Sequence, residues 1–319
     1  LIDDALHHAL EARDLSAAAR LIEQNGPAML NEDKWYTLEK WLAKLPDDII
    51  QQRAQLVLIK AWVCFYHFSL QDIPALLESV EAILDVEASM QGLWGEVDFF
   101  WGHHWFWQGQ SARSLDLFNH ALERIPQTSY VARGHAELFW SLASQMSGHK
   151  TETLRALNEW LYHDQTPHLI RQIRLEGALI FIHLLAGKLA AAARVIQQFQ
   201  ITAAKGNDTY AKAWGAYLQA IVNYCRNDLE KAADQLAQAV EKRYVLHTKA
   251  AIDSLAALTL TYQALGQSES AEEALALLLE FAQETGIPAY LTVAHSCRAR
   301  LALLQGDIAS ALSWLKIAN

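Results

Sequence analysis

The run FFWGHHWFWQG, residues 99–109, sets six aromatic rings and two histidines in eleven positions. Imidazoles among indoles and phenyl rings are the materials of a metal site, a general base, or a stacking surface for a polar ligand. Metal binding fails on geometry. His103 and His104 are neighbours on a helix and point about 100° apart, so they cannot share one ion without outside ligands. Catalytic motifs are missing as well. His135 and Glu137 in HAEL have the H-x-E spacing of zinc deaminases, but no Cys-x-x-Cys pair completes it. Neither H-E-x-x-H nor G-x-S-x-G occurs, and AGKL at 186–189 lacks the upstream Gly and the hydroxyl residue of a phosphate-binding loop. The expectation is a non-enzymatic chain with no metal and no cofactor.

A stacking surface remains, and it needs elements to hold it. Apolar residues make up 52% of the 319 positions, with eleven Trp but only fourteen Gly and six Pro, which predicts an ordered, nearly all-helical protein. That length exceeds one ordinary core, so the chain is either two domains or a repeat array. A net charge of −10 argues against wrapping nucleic acid or lying on an anionic membrane. Cys64, Cys225 and Cys297 are far apart in apolar helical contexts and read as reduced thiols of a cytoplasmic protein. No uninterrupted apolar run is long enough for a membrane helix, and no basic-then-apolar leader opens the chain. The first residue is Leu1 and a helical pattern still runs at Asn319, so both ends read as cuts in a longer protein.

Helix-breaking turns recur at Gly109, Gly148, Gly187, Asn227, Gly266 and Gly306, at intervals of 39, 39, 40, 39 and 40 residues. A fainter one, SLQDIPALLES around Leu70, extends the series backwards. Each unit reads as an apolar helix, a break, then an amphipathic helix with a small or short residue five positions on: Ala75, Ser114, Thr153, Ala192, Ala232, Ala271 and Ala311. Hairpins that cannot bury both faces alone must stack, which predicts an all-α, right-handed superhelix (α-solenoid). Gly102, Trp105, Gly109, Phe118, Ala121 and Pro126 follow the tetratricopeptide pattern, although the period exceeds the standard 34. Residues 1–51 break the period. They read as a helical adaptor: a hairpin broken near Arg13-Asp14, then a helix capped by Asn31 and stopped by Pro46. The array is expected over 52–319.

ALHHALEARDLSAAARLIEQNG and LEKWLAKLPDDIIQQRAQLVLIKAWVCF resemble the segment entering the sensor region of MalT-type regulators, the ATP-dependent, LuxR-family transcriptional regulators of the STAND class. EFAQETGIPAYLTVAHSCRARLALLQGDIASALSWLKIAN is similar to the closing repeats of that region. The resemblance implies the sensor portion alone. ATP would belong to a separate upstream module and DNA to a separate downstream domain. Its expected partner is a small-molecule inducer, a sugar among the candidates, or a regulatory protein; a passive scaffold for protein–protein interaction is the alternative.

In tetratricopeptide arrays the first helix of each hairpin lines the concave face, at positions 13, 10, 6 and 3 before the turn residue. Counted from Gly109 that rule selects Glu96, Phe99, His103 and Phe106, and from the later turns His135, Arg174, Trp214, Tyr217, Tyr224 and Asp253, as ligand-binding candidates. The fainter turn adds Lys60 and His67. Rings mixed with single charges suit a polar small molecule. Trp101, Trp105, Phe118 and Trp140 are expected instead in the contacts between helices.

Overall fold

A computed structural model of the protein describes residues 2–86, 92–162, 168–206 and 209–314, and no strand occurs among them. The chain forms two compact units, Leu1–Ile182 and His183–Asn319. The first holds α1 (Ile2–Glu11), α2 (Leu15–Asn31), α3 (Trp35–Leu42), α4 (Asp47–Gln51), α5 (Ala54–His67), α6 (Ile73–Leu84), α7 (Trp94–Trp107), α8 (Ser111–Arg124), α9 (Tyr130–Met146), α10 (Lys150–Tyr162) and most of α11 (Leu169–Leu185). The second holds α12 (Leu189–Lys205), α13 (Thr209–Cys225), α14 (Leu229–Glu241), α15 (Thr248–Ala264), α16 (Ser268–Glu284), α17 (Pro288–Leu304) and α18 (Ile308–Ser313). The helix expected to continue to Asn319 lies, beyond position 314, outside the described residues.

The periodic breaks are one backbone motif used repeatedly. Gly109, Gly148, Gly187, Asn227, Gly266 and Gly306 all take a left-handed conformation, with φ between 61° and 91°. In each case the next amide reaches back to a carbonyl five residues earlier, as in Gln110 N to Trp105 O at 3.0 Å and Asp228 N to Asn223 O at 2.9 Å. This Schellman closure satisfies carbonyls that a helix end leaves bare and turns the chain into the second helix. Five residues on, Ser114, Thr153, Ala192, Ala232 and Ala271 are fully buried between the hairpin helices. Close approach is also visible at Gly102, where an added Cβ would lie 2.7 Å from the Phe118 ring. Gly102 and Phe118, two positions of the tetratricopeptide pattern, thus face each other, and the fold is an all-α solenoid of tetratricopeptide-like hairpins.

Two sequence readings shift. The fainter turn is not at Leu70: Phe68 takes the left-handed conformation (φ 60°), and Ser69 N closes onto Cys64 O. Ala75 is accordingly exposed, and Ile73, five residues after Phe68, is the buried residue. Asn31 does not cap a helix, because α2 continues through Gly26-Pro27 and ends on Asn31 itself. Its amide Nδ2 donates to Thr128 O (2.9 Å), while its Oδ1 accepts from Val131 N (3.3 Å). Buried Gly26 permits this course, since an added Cβ would lie 2.5 Å from Ile59 Cδ1 of α5. The expected adaptor thus packs directly on α5 and reaches the start of α9.

Candidate functional site

The candidate residues fall into two groups, one in each unit. In the first unit, the inner sides of α5, α7 and α9 close on one another. The Phe65 ring lies 4.9 Å from His103 and 4.8 Å from His135 between centroids, and Trp62 stacks on Phe99 at 5.1 Å. Phe106 meets Phe139 edge-on at 5.4 Å. Phe99 and His103 are wholly buried, so the expected division of α7 into a groove stripe and a core stripe differs from the observed one. Trp101 and Trp105, expected in the core, are half-buried; Trp101 donates to Glu81 (2.9 Å) and Trp105 carries Arg113 over its ring at 3.7 Å.

Charged groups in this interior are paired. Arg174 holds both oxygens of Asp33, that to Oδ2 at 2.6 Å, and its Nε donates to His135 Nε2 at 3.2 Å. Tyr66 donates to Asp33 Oδ1 at 2.7 Å. A guanidinium only donates, so His135 Nε2 is the acceptor in this pair. His103 is held likewise, its Nε2 accepting from Trp107 Nε1 at 2.9 Å. Glu137, the acid of the H-x-E string, is bound at both oxygens by Arg171 (2.8 and 2.7 Å) and flanked by Arg133. That carboxylate is committed to structure.

Glu96 differs from these. It accepts from Trp62 Nε1 at 2.5 Å, and burial, only partly offset by that bond, pushes its carboxyl above the usual range. Beside it a cavity of about 30 Å³ lies among Gly26, Asn31, Gln55, Trp62 and Ser129, room for about two waters. The sequence rule missed Trp62 and Phe65 because the turn was placed at Leu70. Counted from Phe68, the same offsets give Gln55, Leu58, Trp62 and Phe65, which do face α7. Lys60 and His67 pair instead with Asp47 and Glu39, each at 2.9 Å.

None of the second unit's candidates is fully buried. Trp214, Tyr217 and Asp253 are half-buried, and Tyr224 is 42% exposed. Trp214 meets Tyr217 edge-on at 5.4 Å between centroids. Tyr217 OH donates to Asp253 Oδ2 (3.4 Å), and Lys249 Nζ donates to the same oxygen at 2.7 Å. Burial first, then the Asp253 carboxylate, raise the Tyr217 hydroxyl far above its ordinary value. Trp214, Tyr217 and Asp253 are thus brought together across α13 and α15. Among the described residues no group of three or more His, Cys, Asp or Glu side chains could hold a metal ion, and no helix is long and apolar enough to cross a membrane.

Stacked hairpins with left-handed turns and a buried small residue five positions on are the architecture of a tetratricopeptide-repeat protein. The MalT-like TPR region family matches residues 95–319, and the chain belongs to that family. It is 28% identical over 156 residues to the HTH-type transcriptional regulator MalT of Serratia proteamaculans, and 25% identical over the same length to that of Yersinia enterocolitica. Each match covers 48% of this chain and 17% of the relative. Among solved structures, a Rap protein complexed with competence and sporulation factor superposes with a TM-score of 0.57 at 16% identity, covering 99% of this chain and 87% of that one. A STAND protein with a tetratricopeptide repeat sensor from Pyrococcus horikoshii gives 0.56 at 14% identity, covering 98% and 50%. Both likenesses concern the fold.

Proposed function

We propose that this chain is the signal-sensing region of a cytoplasmic transcriptional regulator of the MalT type, and that the second unit's inner wall is the surface that reads the signal. The carrying observation is the contrast between the walls. In the first unit Phe99, His103, His135 and Arg174 are buried, and half-buried Glu96 and Phe106 pack against Trp62 and Phe139, whereas in the second unit Trp214, Tyr217 and Asp253 are half-buried and Tyr224 is 42% exposed. Rings combined with single charges bind polar small molecules or the side chains of a partner segment. A ligand there drives a switch only by binding one state of the regulator more tightly than another. ATP and DNA would be handled by other parts of the parent protein, since none of the residues described above forms a phosphate-binding loop or a basic recognition helix.

Thermal unfolding of the chain with oligosaccharides, other metabolites and regulatory-protein segments tests this reading. A ligand at 100 times its Kd adds about 2.7 kcal/mol. The expected outcome is a stabilising ligand whose effect disappears in Trp214→Leu and Tyr217→Leu. If every stabilising ligand acts equally on both variants, the second unit's wall is not the sensing surface.

A further inference from the structure

One carboxylate in the first unit lacks the partner that its neighbours have. Asp33, Asp98 and Glu137 each hold an arginine, respectively Arg174, Arg124 and Arg171. Glu96, in the first turn of α7, has the Trp62 indole on Oε2, and no Lys, Arg or His pairs with it among the described residues. Its Oε1 accepts from no group among them. Burial holds the carboxyl above its usual range, and no neighbouring cation counters that effect. A carboxylate withdrawn from water without a counter-charge is destabilising, so a cation that reached it would be held there.

The carboxylate is not sealed off. Glu96, Gln55 and Ser129 all line the cavity of about 30 Å³, and all three are half-buried, so solvent reaches them. Neither the Gln55 side-chain amide nor the Ser129 hydroxyl has a hydrogen-bond partner among the described residues. Ser129 stands at the N-cap of α9, yet its hydroxyl caps no backbone amide. Behind these polar groups lie the buried side chains of Leu58, Trp62 and Ala132. Three side chains with unused hydrogen-bonding capacity thus share one small cavity with an apolar wall. Such groups are ordinarily met by water or by a ligand. The space suits a group of about two heavy atoms. A planar guanidinium is larger than that, whereas the CH2–NH3+ end of a primary amine matches it.

We propose that Glu96, Gln55 and Ser129 form a subsite for a primary ammonium group. Its N–H groups donate to Glu96 Oε1, to the Gln55 side-chain oxygen and to Ser129 Oγ, and its carbon stem lies against Trp62 and Leu58. The ammonium gives Glu96 the counter-charge that arginines give to Asp33, Asp98 and Glu137. The chain's net charge of −10 favours the approach of a cation. All the residues concerned belong to the first unit, so the assignment does not rest on the reading of the second unit's wall.

Titration of the full chain with n-propylammonium chloride, followed at the Trp62 indole N–H resonance, is the direct test. The neutral isostere is n-propanol, and tetramethylammonium chloride is a cation too bulky for the cavity. At equal ionic strength the resonance should shift saturably with n-propylammonium and with neither of the others. Glu96→Gln keeps an acceptor for Trp62 and should weaken binding by about tenfold or more, the scale of a lost hydrogen bond to a charged group. Ser129→Ala should weaken it by about two- to tenfold and leave the Tm unchanged, because its hydroxyl caps nothing. A blocked Gly-Lys-Gly peptide separates the sources: tighter binding than n-propylammonium assigns the group to a lysine of a partner segment, and equal binding assigns it to a free amine. An equal shift with n-propanol, no shift with any probe, or undiminished binding to Glu96→Gln overturns the subsite. Trp214→Leu should bind n-propylammonium as the parent chain does, so this assignment and the sensing surface of the second unit fall separately.

Discussion

The carboxylate of Asp33 is gripped at both oxygens by Arg174, a residue 141 positions further along the chain. The pair joins the residue just after α2 to α11, and both side chains are nearly inaccessible, at 4% and 6%. With Tyr66 and His135 it forms the polar centre of an interior otherwise built from rings.

Removing one member of such a pair leaves a buried charge alone, at a cost of about 3–5 kcal/mol. Asp33→Asn isolates the charge, because Asn tolerates the left-handed backbone at this position (φ 56°). Asp33→Asn and Arg174→Met should each destabilise the chain on that scale, and the double variant by less than the sum of the two. Urea unfolding of the four proteins in a double-mutant cycle measures this. Strict additivity of the two losses would show that the pair contributes nothing as a pair.

Glu96 supplies a pH dependence. Its carboxyl is raised in the folded state by burial, so folding disfavours the charged form. The stability associated with the group is fully present below the unfolded carboxyl's ordinary value of 4.5 and is lost as pH rises through the folded value. Glu96→Gln keeps an acceptor for Trp62 but removes the charge. It should therefore raise the Tm at pH 7 and leave it nearly unchanged at pH 4. A larger gain at pH 4 than at pH 7 contradicts the assignment.

Gly102 tests the hairpin contact. A methyl group at this position would sit 2.7 and 2.8 Å from Phe118 ring carbons and 3.3 Å from Leu117 Cβ. Gly102→Ala should cost about 1–3 kcal/mol through overpacking, despite the better helix propensity of Ala. The check is chemical denaturation, in which a neutral or stabilising result would mean that α7 and α8 separate easily.

The thiols should divide by exposure. Burial pushes Cys64 and Cys297 up to about 11, whereas Cys225 is exposed at the end of α13. Iodoacetamide at pH 8 should label Cys225 quickly, and the other two only when the chain opens. Peptide mapping of a labelling time course decides this, and rapid modification of Cys297 would show that α15 and α17 part readily.

The hairpin plan was legible in the sequence because its causes are local. A left-handed Gly or Asn every 39–40 residues ends one helix, and a small residue five positions later lets the next pack closely; neither needs distant information. The same locality explains the misplaced turn near Leu70. Phe68 adopts a backbone conformation that its side chain disfavours, and nothing in its type announces it. With that turn two residues out, Trp62 and Phe65 escaped the count, and Lys60 and His67 took their place.

The sequence by itself determined which helical positions face inwards, since the 3.6-residue period and the turn residues set the register. Tertiary structure alone decided what lies in front of those positions. Glu96, Phe99, His103, His135 and Arg174 obey the same spacing rule as Trp214, Tyr217 and Asp253. In the first unit, however, α5, α7 and α9 approach closely enough to bury their inner faces, and Asp33 arrives from the far end of α2 to neutralise Arg174. Periodicity specifies a direction for each side chain. Whether that direction holds solvent, a ligand or another helix depends on contacts between residues about 40 to 140 positions apart, which no local pattern encodes.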